Sequence, residues 1–173
     1  MSGKKGQTPR RVDVRRWKKK ILDELAHLPR EHEALEFAMA EFGTDFDLAE
    51  LNAAMRPDAD IALYNRVQAL ERAVTRVQNI LADLATAGAK LGGLRLPDIK
   101  AGDAERSFEA LKEAEVIGAS LCKRLRRAQR ARNLIEHHYE KVSAGQLHDV
   151  AEDVRELGRD FLRPFRAWIE PLL

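Results

Sequence analysis

The sequence has little that would staple a fold covalently or interrupt one. It contains a single cysteine, Cys122, among 173 residues, so no internal disulfide can form. No apolar run approaches the ~20 residues a membrane-spanning helix requires, and no signal-peptide pattern is present, so the expectation is a cytoplasmic chain with no membrane attachment. Six prolines and ten glycines are too few for a collagen-like or low-complexity chain, and 45% hydrophobic residues are too many for a wholly disordered one. No alternating apolar and polar run is long enough to suggest a strand, and no repeat recurs at a fixed period. Cofactor signatures are missing too. Gly93 is followed by Leu94 and Arg95, where a phosphate-cradling loop needs Lys and then Ser or Thr. His27 and His32 lie five apart, and His32-Glu33 has no second His at metalloprotease spacing, so neither a metal nor another cofactor is expected.

What the chain does have is helical periodicity. Leu63, Val67, Leu70, Val74, Val77, Leu81 and Leu84 recur at spacings of four and three, which predicts one long helix over about 60–87 with Gly88 as its stop. Upstream, Val14, Trp17, Ile21, Leu25 and Leu28 form a stripe that meets Pro29, where a break is expected before a second helix through Leu35, Met39 and Phe42. A turn at 43–47 and a short helix at 48–55 follow, closed by Pro57. Residues 88–102 read as a loop, and a helix resumes near Asp103 and stops near Gly118. A further helix spans 119–142. Ser143 and Gln146 form a capping box for the last helix, whose stripe is Leu147, Val150, Val154, Leu157, Phe161, Phe165 and Trp168. The fold class predicted is all-α, an antiparallel helical bundle, divided into a basic flexible arm (1–16), an N-terminal helical segment (17–57) and the bundle proper (58–173).

Charge is distributed unevenly. Within residues 1–20, nine cations face only Asp13, a net of +8, so the other 153 residues carry −6 of the overall +2. A basic arm on an acidic body points to an anionic partner, and Arg15, Arg16, Lys18, Lys19 and Lys20 are its candidates for contacting nucleic-acid phosphates. A solvated tail is the plainer reading for the first dozen residues. Six more cations, Lys123, Arg124, Arg126, Arg127, Arg130 and Arg132, fall in the 119–142 helix before its first acid. They either face RNA or dock on an acidic neighbouring helix.

That helix holds the chemistry. Leu121, Leu125, Ala128, Ile135 and Tyr139 share one seam whose missing member is Arg132, a guanidinium where an apolar side chain belongs. Arg132 could extend from the seam to solvent or pair with Glu136 one turn on. His137 sits about 140° from Arg132 around an undistorted helix. The two cannot reach one phosphate from the same regular helix, so either the helix deforms or a second copy of the chain completes the site. A two-fold homodimer containing this helix is the expectation.

The run Arg132-Asn133-Leu134-Ile135-Glu136-His137-His138-Tyr139 resembles the Arg-Asn-x-x-x-His-x-Tyr motif of HepT-like toxins in the HEPN superfamily. Its setting is similar over roughly 60–170, through Leu70-Glu71-Arg72-Ala73, Leu94-Arg95-Leu96-Pro97, Phe108, Leu111 and Val116-Ile117. The resemblance implies a HEPN-type bundle and a metal-independent endoribonuclease toxin that cleaves RNA by 2′-hydroxyl attack. Arg132 would bind the scissile phosphate, His137 would act as general acid or base, and Asn133 would orient the site. Tyr139 would be the position modified with AMP by a cognate nucleotidyltransferase antitoxin. Lys123, Arg124, Arg126, Arg127 and Arg130 would contact RNA. One departure stands out: the family has an apolar residue before the motif histidine, and this chain has Glu136. The competing reading is a non-catalytic helical adaptor or antitoxin-like dimerisation module that keeps the helix only to hold a partner.

Overall fold

Helix α3 (Ile61–Leu91) is the axis on which the other helices are laid. The computed structural model describes residues 11–100, 102–137 and 141–173, apart from the side chains of Arg11 and Val12. Asp60 caps α3 by accepting from the Leu63 amide at 2.9 Å, satisfying one of the free first-turn donors. The expected stripe from Val67 to Leu84 is buried throughout, and each such side chain contributes about 1.5–3 kcal/mol on leaving water. The helix does not stop at Gly88 as the sequence suggests. Gly88 lies buried inside it, and a Cβ there would sit 2.6 Å from Cε2 of Phe165. The missing side chain lets an aromatic ring of the last helix rest on the backbone of α3. The chain turns only after Gly92, at Gly93, which adopts φ +64.

The N-terminal region corrects a second expectation. Residues Arg11–Ala40 form one helix, α1, with Pro29 inside it. An interior proline removes a hydrogen bond and costs about 3 kcal/mol. Against this stand Ile21, Leu28 and Leu35, all buried and seven residues apart, so the face on one side of Pro29 continues in register on the other. Pro29 itself is exposed. α1 runs antiparallel along α3, as the ion pairs Lys20–Asp83 (2.7 Å) and Arg66–Glu41 (3.2 Å) show. The last six residues of the expected arm, 11–16, are therefore helical, with Arg15 and Arg16 exposed, while 1–10 lie outside the described residues.

The remaining elements follow in order. α2 (Leu48–Ala54) is capped by Asp47, and α4 spans Asp103–Glu113. α4 ends before the expected Gly118, because Glu115 adopts φ 56 and the chain reverses to bury Val116 and Ile117. α5 covers Ala119–His137. α6 (Ala144–Ile169) starts at the expected capping box, with the Ser143 amide donating to Gln146 Oε1 at 2.9 Å and the Gln146 amide to Ser143 Oγ at 3.2 Å. A 3-10 turn at Glu170–Leu172 follows. Gln78 Nε2 donates to the Ala128 carbonyl at 2.7 Å, tying the middle of α5 to α3. Every regular element among the described residues is helical, so the chain is an all-α bundle with one shared core.

Candidate functional site

The site is built on α5. Cys122, Leu125, Ala128 and Ile135 turn inward, and Arg132 occupies the seam between Ala128 and Ile135. Its side chain is 23% exposed and pairs with Glu136 on the same helix, NH2 to Oε2 at 2.8 Å. NH1 donates to Asn133 Oδ1 at 3.0 Å. Nε is buried with no partner among the described residues, a position that costs an ordinary donor about 1–3 kcal/mol and a charged one more. The guanidinium thus faces along the helix toward its C-terminal end, where exposed His137 is the last residue of α5. α5 keeps its α-helical form up to His137, so the angular separation between Arg132 and His137 expected from the sequence persists within one chain. Tyr139 and His138 lie outside the described residues.

The other cations of α5 meet carboxylates. Arg124 reaches three acids of α6, Asp153 (3.2 Å), Glu156 (2.9 Å) and Asp160 (2.7 Å), and Arg127 pairs with Asp153. Arg126 bonds Glu105 at 3.0 Å and Glu109 on α4, and Arg130 bonds Glu105 at 3.1 Å. Four of the cations expected to meet RNA therefore clasp α4 and α6 to α5; Lys123 is exposed. The sequence signal for this was available in the acids at 105 and 109 and at 153, 156 and 160, each set on one helical face. In α1, Lys18 donates to the Leu173 carbonyl at 2.7 Å, Lys19 pairs with Asp23, and Lys20 with Glu24 and Asp83.

This clasp has a pH signature. Burial alone would raise the Glu105 carboxyl, but hydrogen bonds from Arg130 and then Arg126 outweigh it and hold the group below its ordinary value of 4.5. A carboxyl with a folded-state value below the unfolded one adds stability at higher pH and loses it as the pH falls through that range. Thermal unfolding should therefore show a steeper loss of stability below about pH 4.5 in the native chain than in Glu105→Gln; equal acid slopes would contradict the assignment. Cys122 is the opposite case. Burial, then the charge of Glu109, pushes its thiol up to about 11, so it holds almost no thiolate at neutral pH and is a packing residue.

An open groove of about 1650 Å³ crosses the outer face of α3, with α1 on one side and the last turn of α5, at Ile135 and Glu136, on the other. Arg30, Arg72 and Arg76 stand along it. No helix of the described residues is long and apolar enough to cross a membrane.

No curated protein and no solved structure gives a significant match to this chain. A family model does. Residues 48–163 match the family described as ribonuclease HepT-like, a stretch that begins at α2, leaves out α1, and contains the whole of α5. With two thirds of the sequence matched on an all-helical bundle, the chain belongs to the HepT-like ribonuclease family of the HEPN superfamily.

Proposed function

We propose that this protein is a cytoplasmic, metal-independent endoribonuclease, the toxin of a pair whose antitoxin is a nucleotidyltransferase. The observation that carries the reading is Arg132: a guanidinium three-quarters buried in the seam of a helix that ends at an exposed histidine. The family supplies RNA as substrate. In the reaction, His137 in its neutral form takes the proton of a ribose 2′-hydroxyl. The oxygen attacks the adjacent phosphorus, the bond to the 5′-oxygen breaks, and a proton returns to that leaving oxygen. A 2′,3′-cyclic phosphate and a 5′-hydroxyl result. Imidazole suits both proton transfers because a ring nitrogen can accept a proton and the protonated ring can donate one, and Arg132 counters the charge that builds on the phosphoryl oxygens. Asn133 holds NH1 of Arg132 and so orients the guanidinium. Tyr139, two residues past His137, is the position the antitoxin would modify with AMP.

The regular helix supports a composite site. Arg132 and His137 diverge on one α5, whereas a two-fold dimer presents the same helix twice and can set Arg132 of one protomer against His137 of its partner. Mixing inactive Arg132→Ala and His137→Ala chains should then restore part of the activity, because some heterodimers carry one intact site. Failure of the mixture to exceed either parent would rule the composite site out. For RNA outside the site, exposed Arg15, Arg16 and Lys123 are the cations best placed, while Arg124, Arg126, Arg127, Arg130, Lys18, Lys19 and Lys20 would first have to exchange an internal partner for a phosphate. That engagement favours one second reading, a non-catalytic adaptor or antitoxin-like dimerisation module in which α5 only clasps its neighbours; such a protein would show no RNA cleavage at all.

A further inference from the structure

Glu136 stands in an electrostatically poor place. It lies in the last turn of α5, where the unpaired carbonyls give the helix its negative end and a carboxylate is disfavoured. Its partner Arg132 precedes it by four residues, the weaker order for an ion pair along a helix, in which the acid belongs on the N-terminal side. Residues that break a local rule without a structural gain are the ones to examine for function. The carboxylate is 27% exposed and borders the large groove, so solvent and a ligand can reach it. It offers the Arg132 guanidinium an anionic oxygen at 2.8 Å, which is what a phosphodiester oxygen would offer.

Resting on the reading of Arg132 as the phosphate ligand, we infer that Glu136 is an internal competitor for the substrate phosphate, a built-in carboxylate that occupies Arg132 in the free protein and must be exchanged for RNA. The resting protein is thereby held in a weak-binding state, and Glu136 sets the affinity of the site. The exchange is feasible because the pair is partly solvated and in the unfavourable order, and pairs of this kind are weak. Arg132 Nε has no partner in this arrangement, so the guanidinium leaves one donor unused while held by Glu136.

The alternative is that Glu136 only positions Arg132. The two differ in sign. Competition predicts that Glu136→Gln binds RNA more tightly, by roughly 1.5- to fivefold, lowering KM with kcat little changed; positioning predicts weaker binding and a lower kcat. Binding is read from the fluorescence anisotropy of a labelled mixed-sequence single-stranded RNA, in a His137→Ala background so that the probe survives, and kinetics from Glu136→Gln alone. Arg132→Ala in the same background separates the two layers of the argument. If Arg132→Ala weakens binding while Glu136→Gln leaves it unchanged or weakens it, the competitor is overturned and the ribonuclease reading stands. If Arg132→Ala leaves binding unchanged, the assignment of Arg132 fails and the competitor with it. Circular dichroism melts of each variant identify any loss that comes from unfolding.

Discussion

Replacing His137 with Ala is expected to lower RNA cleavage by about 10²–10⁴-fold, the usual contribution of a positioned proton-transfer group, while leaving the fold intact. The two halves of this expectation have separate grounds. His137 is exposed at the end of α5 and caps no hydrophobic cluster, so its truncation should change stability by less than about 0.5 kcal/mol. The proton-transfer role proposed for it would fall to no other imidazole in α5: Cys122 is buried with its thiol pushed up to about 11, the remaining cations are guanidiniums and Lys123, and Glu136 is held by Arg132. Arg132→Ala should lose activity comparably, for a different reason, since a cationic donor opposite developing charge is removed. An active His137→Ala protein with native stability would mean that the proton is handled elsewhere.

Phe165→Ala is expected to be among the most damaging single changes to stability, about 3–5 kcal/mol, the range for truncating a fully buried aromatic. Phe165 has no exposed surface. Its ring stacks on Phe161 at 4.9 Å, tilts against Trp168 at 6.0 Å, and rests where a side chain on Gly88 would stand. Truncation opens a cavity between α3 and α6 at the point where α3 was shaped to receive the ring. For a chain of this size the thermal midpoint should fall on the order of 10 °C. Phe37→Ala is the matched control: the same atoms are removed from a side chain 71% exposed, and the midpoint should barely move. Similar losses in both variants would contradict the packing described for α3 and α6.

Periodicity made most of the bundle legible in advance, because burial of one face determines a helix and the face can be read at spacings of three and four. The stripe of α3 and the Ser143–Gln146 cap behave as their residues require. Pro29 misled because a local rule was applied at a position where a longer pattern competes: Ile21, Leu28, Leu35 and Phe42 are evenly spaced across it, and their burial outweighs one lost hydrogen bond. Gly88 misled for a related reason, since a glycine inside a helix marks a close approach as readily as a stop, and nothing local names Phe165 as its partner.

At the site, the unusual residue was visible as an arginine in an apolar seam, and of the two fates its position allowed, extension to solvent or a pair with Glu136 four residues on, the structure has the pair. What the sequence left open was the fate of the other cations. Solvated and clasped arginines have the same local sequence; which one results depends on whether Glu105, Glu109, Asp153, Glu156 and Asp160 face α5, and that is decided by how α4 and α6 pack.

The central claim is tested most directly by incubating the purified full chain with single-stranded RNA in excess EDTA, beside His137→Ala, and identifying the ends of the products. The account predicts cleavage by the native chain that persists in the chelator, leaves 2′,3′-cyclic phosphate and 5′-hydroxyl ends, and is lost with His137. Cleavage abolished by EDTA, cleavage retained by His137→Ala, or an intact substrate with the native protein would contradict it.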